Sequence, residues 1–483
     1  MALALILLCF VAGAVLCLLP YRAWLPGAHL GLAALAAVAG SILVAELDRG
    51  TLPRRWGAVA LRLDALSAFM VATILLIALL ALWHSRGYVA RELARGGLEP
   101  HQAGRYYLYL DAFILMMLIA VVVDNVGLMW VALEATTLAT VLLIGLHHTK
   151  EAIEASWKYL LIGSVGIALA FIGTVLVYCD VSILEPAREG ALDGSRLLEQ
   201  AASFHPAFLR LAFVFLFLGY GTKAGLAPMH TWLPDAHSEA PAPVSALMSG
   251  VLLSVSLYAL LRFKPVVDLA AGADFSARFM IGFGLLSLGI AAGMLVIQRN
   301  YKRMLAYSSV EHMGVVCLGL GFGGSLGTVA ALLHILFHAL GKSALFLLAG
   351  NIQQTCDSTQ ITQATGLLRR LPVSGRLFGV GTLALLGAPP FGIFFTELAI
   401  LRAGFQAGYL ALTLAAAALL AVIFAAMLAH LQRLLFGEVE RAAAAELTVA
   451  PAAFALGLLL LLGVWLPPPL GRLVERIGME LMP

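Results

Sequence analysis

Apolar stretches of about twenty residues recur from one end of this 483-residue chain to the other, and nothing constrains its fold more. A helix rises about 1.5 Å per residue, so twenty apolar residues match the roughly 30 Å hydrocarbon core of a bilayer. Backbone polar groups find no water there and must bond to one another, which leaves helices or closed barrels. The runs are too long for barrel strands, so the predicted fold class is an all-α integral membrane protein. Fourteen segments meet the test, near 2–19, 28–46, 64–83, 109–123, 125–146, 156–178, 207–227, 242–262, 279–297, 304–323, 326–350, 377–401, 409–431 and 449–467. Only 12% of residues are charged, against about a quarter in soluble domains. The first stretch lacks a basic leader and is followed by others like it, so it reads as a span and not a signal peptide.

The same composition excludes several function classes. A net charge of +3 spread among loops makes no nucleic-acid surface. Cys9, Cys17, Cys179, Cys317 and Cys356 are scattered and form no CxxC pair, so no iron–sulfur or zinc site is expected from cysteine. Gly319-Leu-Gly-Phe-Gly-Gly324 matches a dinucleotide fingerprint by letter, yet it ends an apolar span instead of following a strand. Lys and Arg are slightly more numerous in the odd-numbered loops, which places both termini outside the cytoplasm.

Two segments contain proline where a helix should continue. The seventh reads Gly221-Thr-Lys-Ala-Gly-Leu-Ala-Pro-Met-His230 and the twelfth Leu386-Gly-Ala-Pro-Pro-Phe-Gly-Ile393. Proline removes a backbone donor and clashes with the preceding turn, so breaks are predicted at Pro228 and at Pro389 and Pro390. A packing kink explains either one alone. Two breaks five segments apart suggest two five-helix repeats, segments 4–8 and 9–13, inverted because each has an odd number of crossings. The chain then divides into an N-terminal three-helix region (1–105), a first repeat (106–265), a second repeat (276–435) and a C-terminal helix (436–483).

Charges inside apolar spans cost about 2.5–3.5 kcal/mol each on insertion scales, so they are candidate functional residues. Glu134 lies in segment five and Lys223 in segment seven; an acid and a base on different helices offset part of each other's desolvation. A purely structural ion pair is the alternative. Segment eleven reads His334-Ile-Leu-Phe-His338-Ala-Leu-Gly-Lys342, and spacing of four aligns the three side chains on one face, about 6 Å apart. Imidazoles both accept and donate protons near neutral pH, so the row suits a relay. Two histidines at that spacing also suit zinc, but lysine is a poor ligand and no third ligand is evident, so no metal is expected. Glu397 follows the second break, and Lys264 ends segment eight, where a snorkelling lysine is equally natural. His230, Asp235, His237 and Glu239 crowd the connection after the first break and form a candidate proton entrance.

The run Lys223-Ala-Gly-Leu-Ala-Pro-Met-His-Thr-Trp-Leu-Pro-Asp-Ala-His237, with Ala242-Pro-Val-Ser-Ala-Leu-Met248, resembles the proton-translocating membrane subunits of respiratory complex I and multisubunit Mrp antiporters. So do Lys302-Arg-Met-Leu-Ala-Tyr-Ser-Ser309 and the segment His334 to Lys342. Within that family, Asn125-Val-Gly-Leu-Met-Trp-Val-Ala-Leu-Glu-Ala-Thr-Thr137 and Ser309-Val-Glu-His-Met-Gly314 are most similar to hydrogenase-4 component F, of group 4 hydrogenase and formate hydrogenlyase-type complexes. The resemblance covers roughly residues 105–435. It implies fourteen helices with two inverted repeats, an acid at Glu134 that tunes the lysine at Lys223, an axis continuing through Lys264, His334, His338 and Lys342, and an outlet group at Glu397. Glutamate at that last place is similar to the M-type chain of complex I, whereas Glu311 and His312 depart from the complex I pattern.

The resemblance further implies a non-catalytic subunit of a redox complex in a bacterial or archaeal inner membrane. No cofactor is expected in this chain; iron–sulfur or nickel–iron centres would sit in a peripheral redox arm reached through other membrane subunits. A sodium/proton antiporter subunit and a non-transporting membrane anchor are the alternative readings. The expected contacts are the lipid bilayer, protons or sodium ions, and partner subunits, with no nucleic acid.

Overall fold

In the computed structural model the described residues are 1–48, 55–56, 59–184, 190–437 and 448–481. Twenty α-helices follow one another. The first half holds α1 (Ala2–Leu16), α2 (Leu25–Asp48), α3 (Ala65–Ala94), α4 (Pro100–Val122), α5 (Val126–Ile144), α6 (Lys150–Leu184), α7 (Gly194–Glu199), α8 (Pro206–Ala224), α9 (Trp232–Glu239), α10 (Ala242–Leu247) and α11 (Leu253–Ala271). The second holds α12 (Ala273–Val296), α13 (Tyr301–Phe322), α14 (Gly324–Cys356), α15 (Leu367–Arg370), α16 (Pro372–Leu385), α17 (Gly392–Gln406), α18 (Leu410–Leu435), α19 (Ala450–Val464) and α20 (Pro468–Leu481). Among the described residues the one strand pair is a two-residue hairpin, Arg55–Trp56 against Val59–Ala60.

Helix starts follow local chemistry. Asp64 caps α3 by accepting from the Ser67 amide at 2.9 Å, and Asn125 and Asn300 cap α5 and α13 in the same way. The tight polar turn between α4 and α5 is held by Asp124, which accepts from the Ser195 hydroxyl and amide.

Among the described residues eleven helices are long and apolar enough to cross a membrane, or twelve if the bent pair α19 and α20 counts as one. Every predicted segment is helical, but three of the fourteen fail to make a single crossing helix. α1 has only 15 residues, the twelfth segment is divided into α16 and α17, and α19 turns by 76° into α20.

Both expected breaks are present. α8 ends at Gly225, whose φ of +76° is a left-handed conformation that glycine adopts without strain. The chain passes Pro228 and a short 3₁₀ turn before α9. α16 ends before Pro389 and Pro390, and α17 restarts at Gly392. A five-residue π-turn, Met248–Leu252, joins α10 to α11.

Burial sorts the helices. The apolar windows of Ala242–Ala271 and Tyr301–Phe322 are wholly buried and that of Gly324–Cys356 is 94% buried, whereas only 22% of Leu410–Leu435 is. α14 is the hub, packing against α3, α10, α13, α16, α17, α19 and α20. The residues a membrane protein should least bury, those of the histidine and lysine row, are therefore on one of its most enclosed helices.

Candidate functional site

Lys223 occupies the last turn of α8, where the unpaired carbonyls of the broken helix favour a cation. Its ammonium donates to the Leu133 carbonyl at 2.6 Å and to the Thr137 hydroxyl at 2.5 Å, both on α5. Thr137 in turn donates to Glu134 at 3.2 Å, and Ser164 of α6 donates to the other carboxylate oxygen at 3.1 Å. The expected acid and base are thus brought together, with one hydroxyl between them in place of a direct ion pair. The break itself is braced: the Trp232 indole donates to the Thr222 carbonyl at 2.9 Å and the Ala227 amide to Ser287 at 3.0 Å.

The four candidate entrance residues are divided by the fold. Asp235 is tied to Arg303 at 2.6 Å and Lys158 at 3.2 Å, an ion cluster that joins α9 to α13 and α6. His230 is buried edge-on to Tyr307. His237 is fully buried, stacks on Phe346 with ring centres 4.9 Å apart, and neither ring nitrogen has a protein partner. Glu239 lines a cavity of about 350 Å³ with Glu92, His147, Gln353, Gln354 and Asp357. Behind that cavity Lys302 is completely buried, donating to the Ser238 and Ala240 carbonyls at 2.7 and 2.9 Å and to Gln353 at 3.3 Å.

From Lys302 the polar groups continue between α13 and α14. Lys342 donates to the Leu305 carbonyl at 2.6 Å and to the Ser308 hydroxyl, and Glu311 lies within its electrostatic reach. His338 and His312 face each other with ring centres 5.2 Å apart. His312 Nδ1 and His334 Nε2 are 2.9 Å apart, and His334 Nδ1 is 2.9 Å from Thr396 Oγ1 at the start of α17. Glu397 follows, its carboxylate folded against Gly387 in the second break. The even spacing of His334, His338 and Lys342 does place all three toward α13, as the helical period requires.

Hydrogen positions in this row follow from its partners. Thr396 has one hydroxyl hydrogen and donates it to the Ile393 carbonyl at 2.9 Å. With its hydrogen so assigned it accepts from His334 Nδ1–H, which makes His334 Nε2 the acceptor and His312 Nδ1–H the donor; turned toward His334, the same hydroxyl sets the opposite tautomers. In the first arrangement His312 Nε2 is left as a buried lone pair without a protein partner.

Lys264 is bonded elsewhere. Its ammonium pairs with Asp268 at 2.5 Å, one turn along α11, and the pair lines a second cavity, of about 270 Å³, with Asp274, Thr328 and Tyr409. Glu239 and Lys264 thus stand at opposite ends of the buried span Ala242–Ala271.

Sequence reading missed Lys302, Glu311 and His312 as site members. All three are printed in apolar segment ten or its edge, and two adjacent ionisable residues inside a span were signal enough. The hydroxyls of Thr137, Ser164, Ser308 and Thr396 carried no such signal, because serine and threonine are ordinary in membrane helices.

A family model described as "NADH:quinone oxidoreductase/Mrp antiporter, TM" matches residues 123–424, which include both breaks and the whole row. The hydrogenase-4 component F homolog of Methylacidiphilum infernorum is 40% identical over 356 residues, covering 73% of this chain and 74% of that protein. NADH-quinone oxidoreductase subunit N of Desulforudis audaxviator is 32% identical over 442 residues, covering 87% and 83%. Among solved structures, a chain of the membrane-bound sulfane sulfur reductase, an archaeal respiratory membrane complex, superposes with a TM-score of 0.88 at 23% identity, covering 99% of this chain and 96% of that one. The chain accordingly belongs to the NADH:quinone oxidoreductase/Mrp antiporter membrane family, as an antiporter-like subunit.

Proposed function

We propose that this chain moves protons across the membrane as a subunit of a redox complex of the hydrogenase-4 or complex I type. The observation that carries the reading is the hydrogen-bonded series His312, His334, Thr396, continued by Lys342 and Lys302, all with buried side chains. Groups that titrate are held there away from lipid and bulk water, in contact with groups that accept or donate a proton in turn.

In this reading Glu239 and its cavity form the inlet, and Lys302, Lys342, Glu311, His338, His312 and His334 pass the proton on to Glu397 beyond the second break. Asp235 holds helices together, and Lys264 faces the far cavity as an outlet group. Glu134 and Lys223 form the control pair: rotation of Thr137 separates or joins them electrostatically and changes the proton affinity of Lys223. Moving one charge against 100 mV requires about 2.3 kcal/mol, equivalent to under two pKa units, which rearranging one buried pair supplies. Fourteen crossings arranged as two inverted repeats, with the two breaks at equivalent places, complete the proposal. Redox centres reside in partner subunits.

The test uses inverted membrane vesicles that contain the whole complex, with redox turnover and internal acidification followed together. His334→Gln and Glu397→Gln are expected to abolish acidification while the subunit remains assembled. Unchanged acidification in both variants refutes a transport role and favours the anchor. Acidification that requires added sodium overturns proton movement in favour of sodium/proton exchange.

A further inference from the structure

Three side chains from three helices converge near the inner face of the second break. Ligand-capable atoms of His312 on α13, His334 on α14 and Glu397 on α17 all lie within 4.8 Å of one another. We infer that His312, His334 and Glu397 form a binding site for a divalent transition-metal ion of the zinc class. Two imidazole nitrogens and one carboxylate oxygen are a donor set zinc takes up while keeping a fourth position open. Ligands on tetrahedral zinc at about 2.0–2.1 Å lie roughly 3.4 Å apart, so side-chain rotation of about 1.4 Å closes the site.

Two further observations point to a ligand. His312 is fully buried and its Nε2 has no protein partner, so that nitrogen is not engaged by the protein. The Glu397 carboxylate is seated against Gly387, where a Cβ would collide with it, so its approach to the histidines is shaped by the break. A largely apolar groove of about 620 Å³ lies beside the site, and its lining includes Phe337, Thr396 and, on α20, Glu475. Thr396, one of its lining residues, touches His334 directly. His338 stands outside the set, so the pair spaced by four along α14 is not what binds.

Ligation through His334 Nε2 and the His312–His334 hydrogen bond use the same nitrogen and exclude each other. A bound ion therefore severs the row. Binding itself does not rest on the transport reading; only the effect on acidification does.

The experiment is zinc titration of the purified, chelator-treated complex, by calorimetry and X-ray absorption. One ion per chain is expected, coordinated by two imidazole nitrogens and oxygen without sulfur. His312→Gln, His334→Gln and Glu397→Gln should each weaken binding at least tenfold, His338→Gln should not, and His312→Cys should restore it. Sulfur ligation in the unmodified complex, or unchanged affinity in H312Q and E397Q, overturns the site. In vesicles zinc should arrest acidification at the concentration that fills the site. Binding without arrest refutes the row as the proton route and leaves the site standing.

Discussion

A buried ammonium needs acceptors, and Lys223 and Lys342 take the same two kinds: a main-chain carbonyl and, one turn along the same helix, a hydroxyl. A hydroxyl accepts from an ammonium and, once turned, donates to a neutral amine, so either lysine keeps a partner whether charged or neutral. A carboxylate in that place would offer acceptors only. Thr137→Val keeps the shape and removes the hydroxyl; leaving a buried charged donor short of a partner costs about 1–3 kcal/mol. Acidification in vesicles should fall about tenfold or more, while Thr137→Ser retains it. A different residue governs stability. Burial alone would raise the Asp64 carboxyl, but Arg262, donating at 2.5 and 2.7 Å, outweighs this and holds it well below the usual carboxylate range. Asp64→Ala strands the mostly buried Arg262 and should cost about 3–5 kcal/mol, seen as a lowered melting temperature of the complex in detergent. Since its folded value lies below the unfolded one, near 3.9, the contribution is complete above about pH 5 and is lost progressively as the pH falls further. An arginine near a span end reads as snorkelling in one dimension; its true partner is almost two hundred residues away.

At the scale of elements, hydropathy located every helix of membrane-crossing length because lipid admits little else, and it passed over short ones such as α7, α9 and α15. It misjudged continuity at both ends of the chain and at the second break. Hydropathy integrates over a window and is blind to a 76° bend between α19 and α20. Proline did reveal both breaks, since its missing donor acts locally. What the pattern could not convey was which neighbour each helix faces, so Glu311 and His312 stood out as letters without an address. Gly387 shows what the second break is built around. With φ near +70° and the Glu397 carboxylate against it, an alanine there meets about 1–2 kcal/mol of backbone strain and also pushes the acid aside. Gly387→Ala should therefore reduce acidification as strongly as Glu397→Gln. Alanine at Gly289, in α12 with open space around it, should leave acidification intact.

Over the whole molecule, two polar cavities sit at opposite ends of a thirty-residue span, about 45 Å end to end and longer than the hydrocarbon core. Glu239→Cys and Lys264→Cys, each in a background with Cys17, Cys179 and Cys356 replaced by serine, should react with a membrane-impermeant maleimide from opposite faces. Labelling of both from one face would contradict the two-ended arrangement. Between those ends, when the Thr396 hydroxyl is turned to the Ile393 carbonyl, each imidazole points its hydrogen toward Thr396. A proton received at His312 Nε2 and handed along leaves every ring reversed, with hydrogens now facing backwards. The next proton waits until the rings turn over. On the proposed proton route such a series would have memory: it would behave as a turnstile and not as a wire, admitting one passenger per reset. Flux through it should level off as the driving force grows, at a ceiling set by how fast two packed histidines rotate.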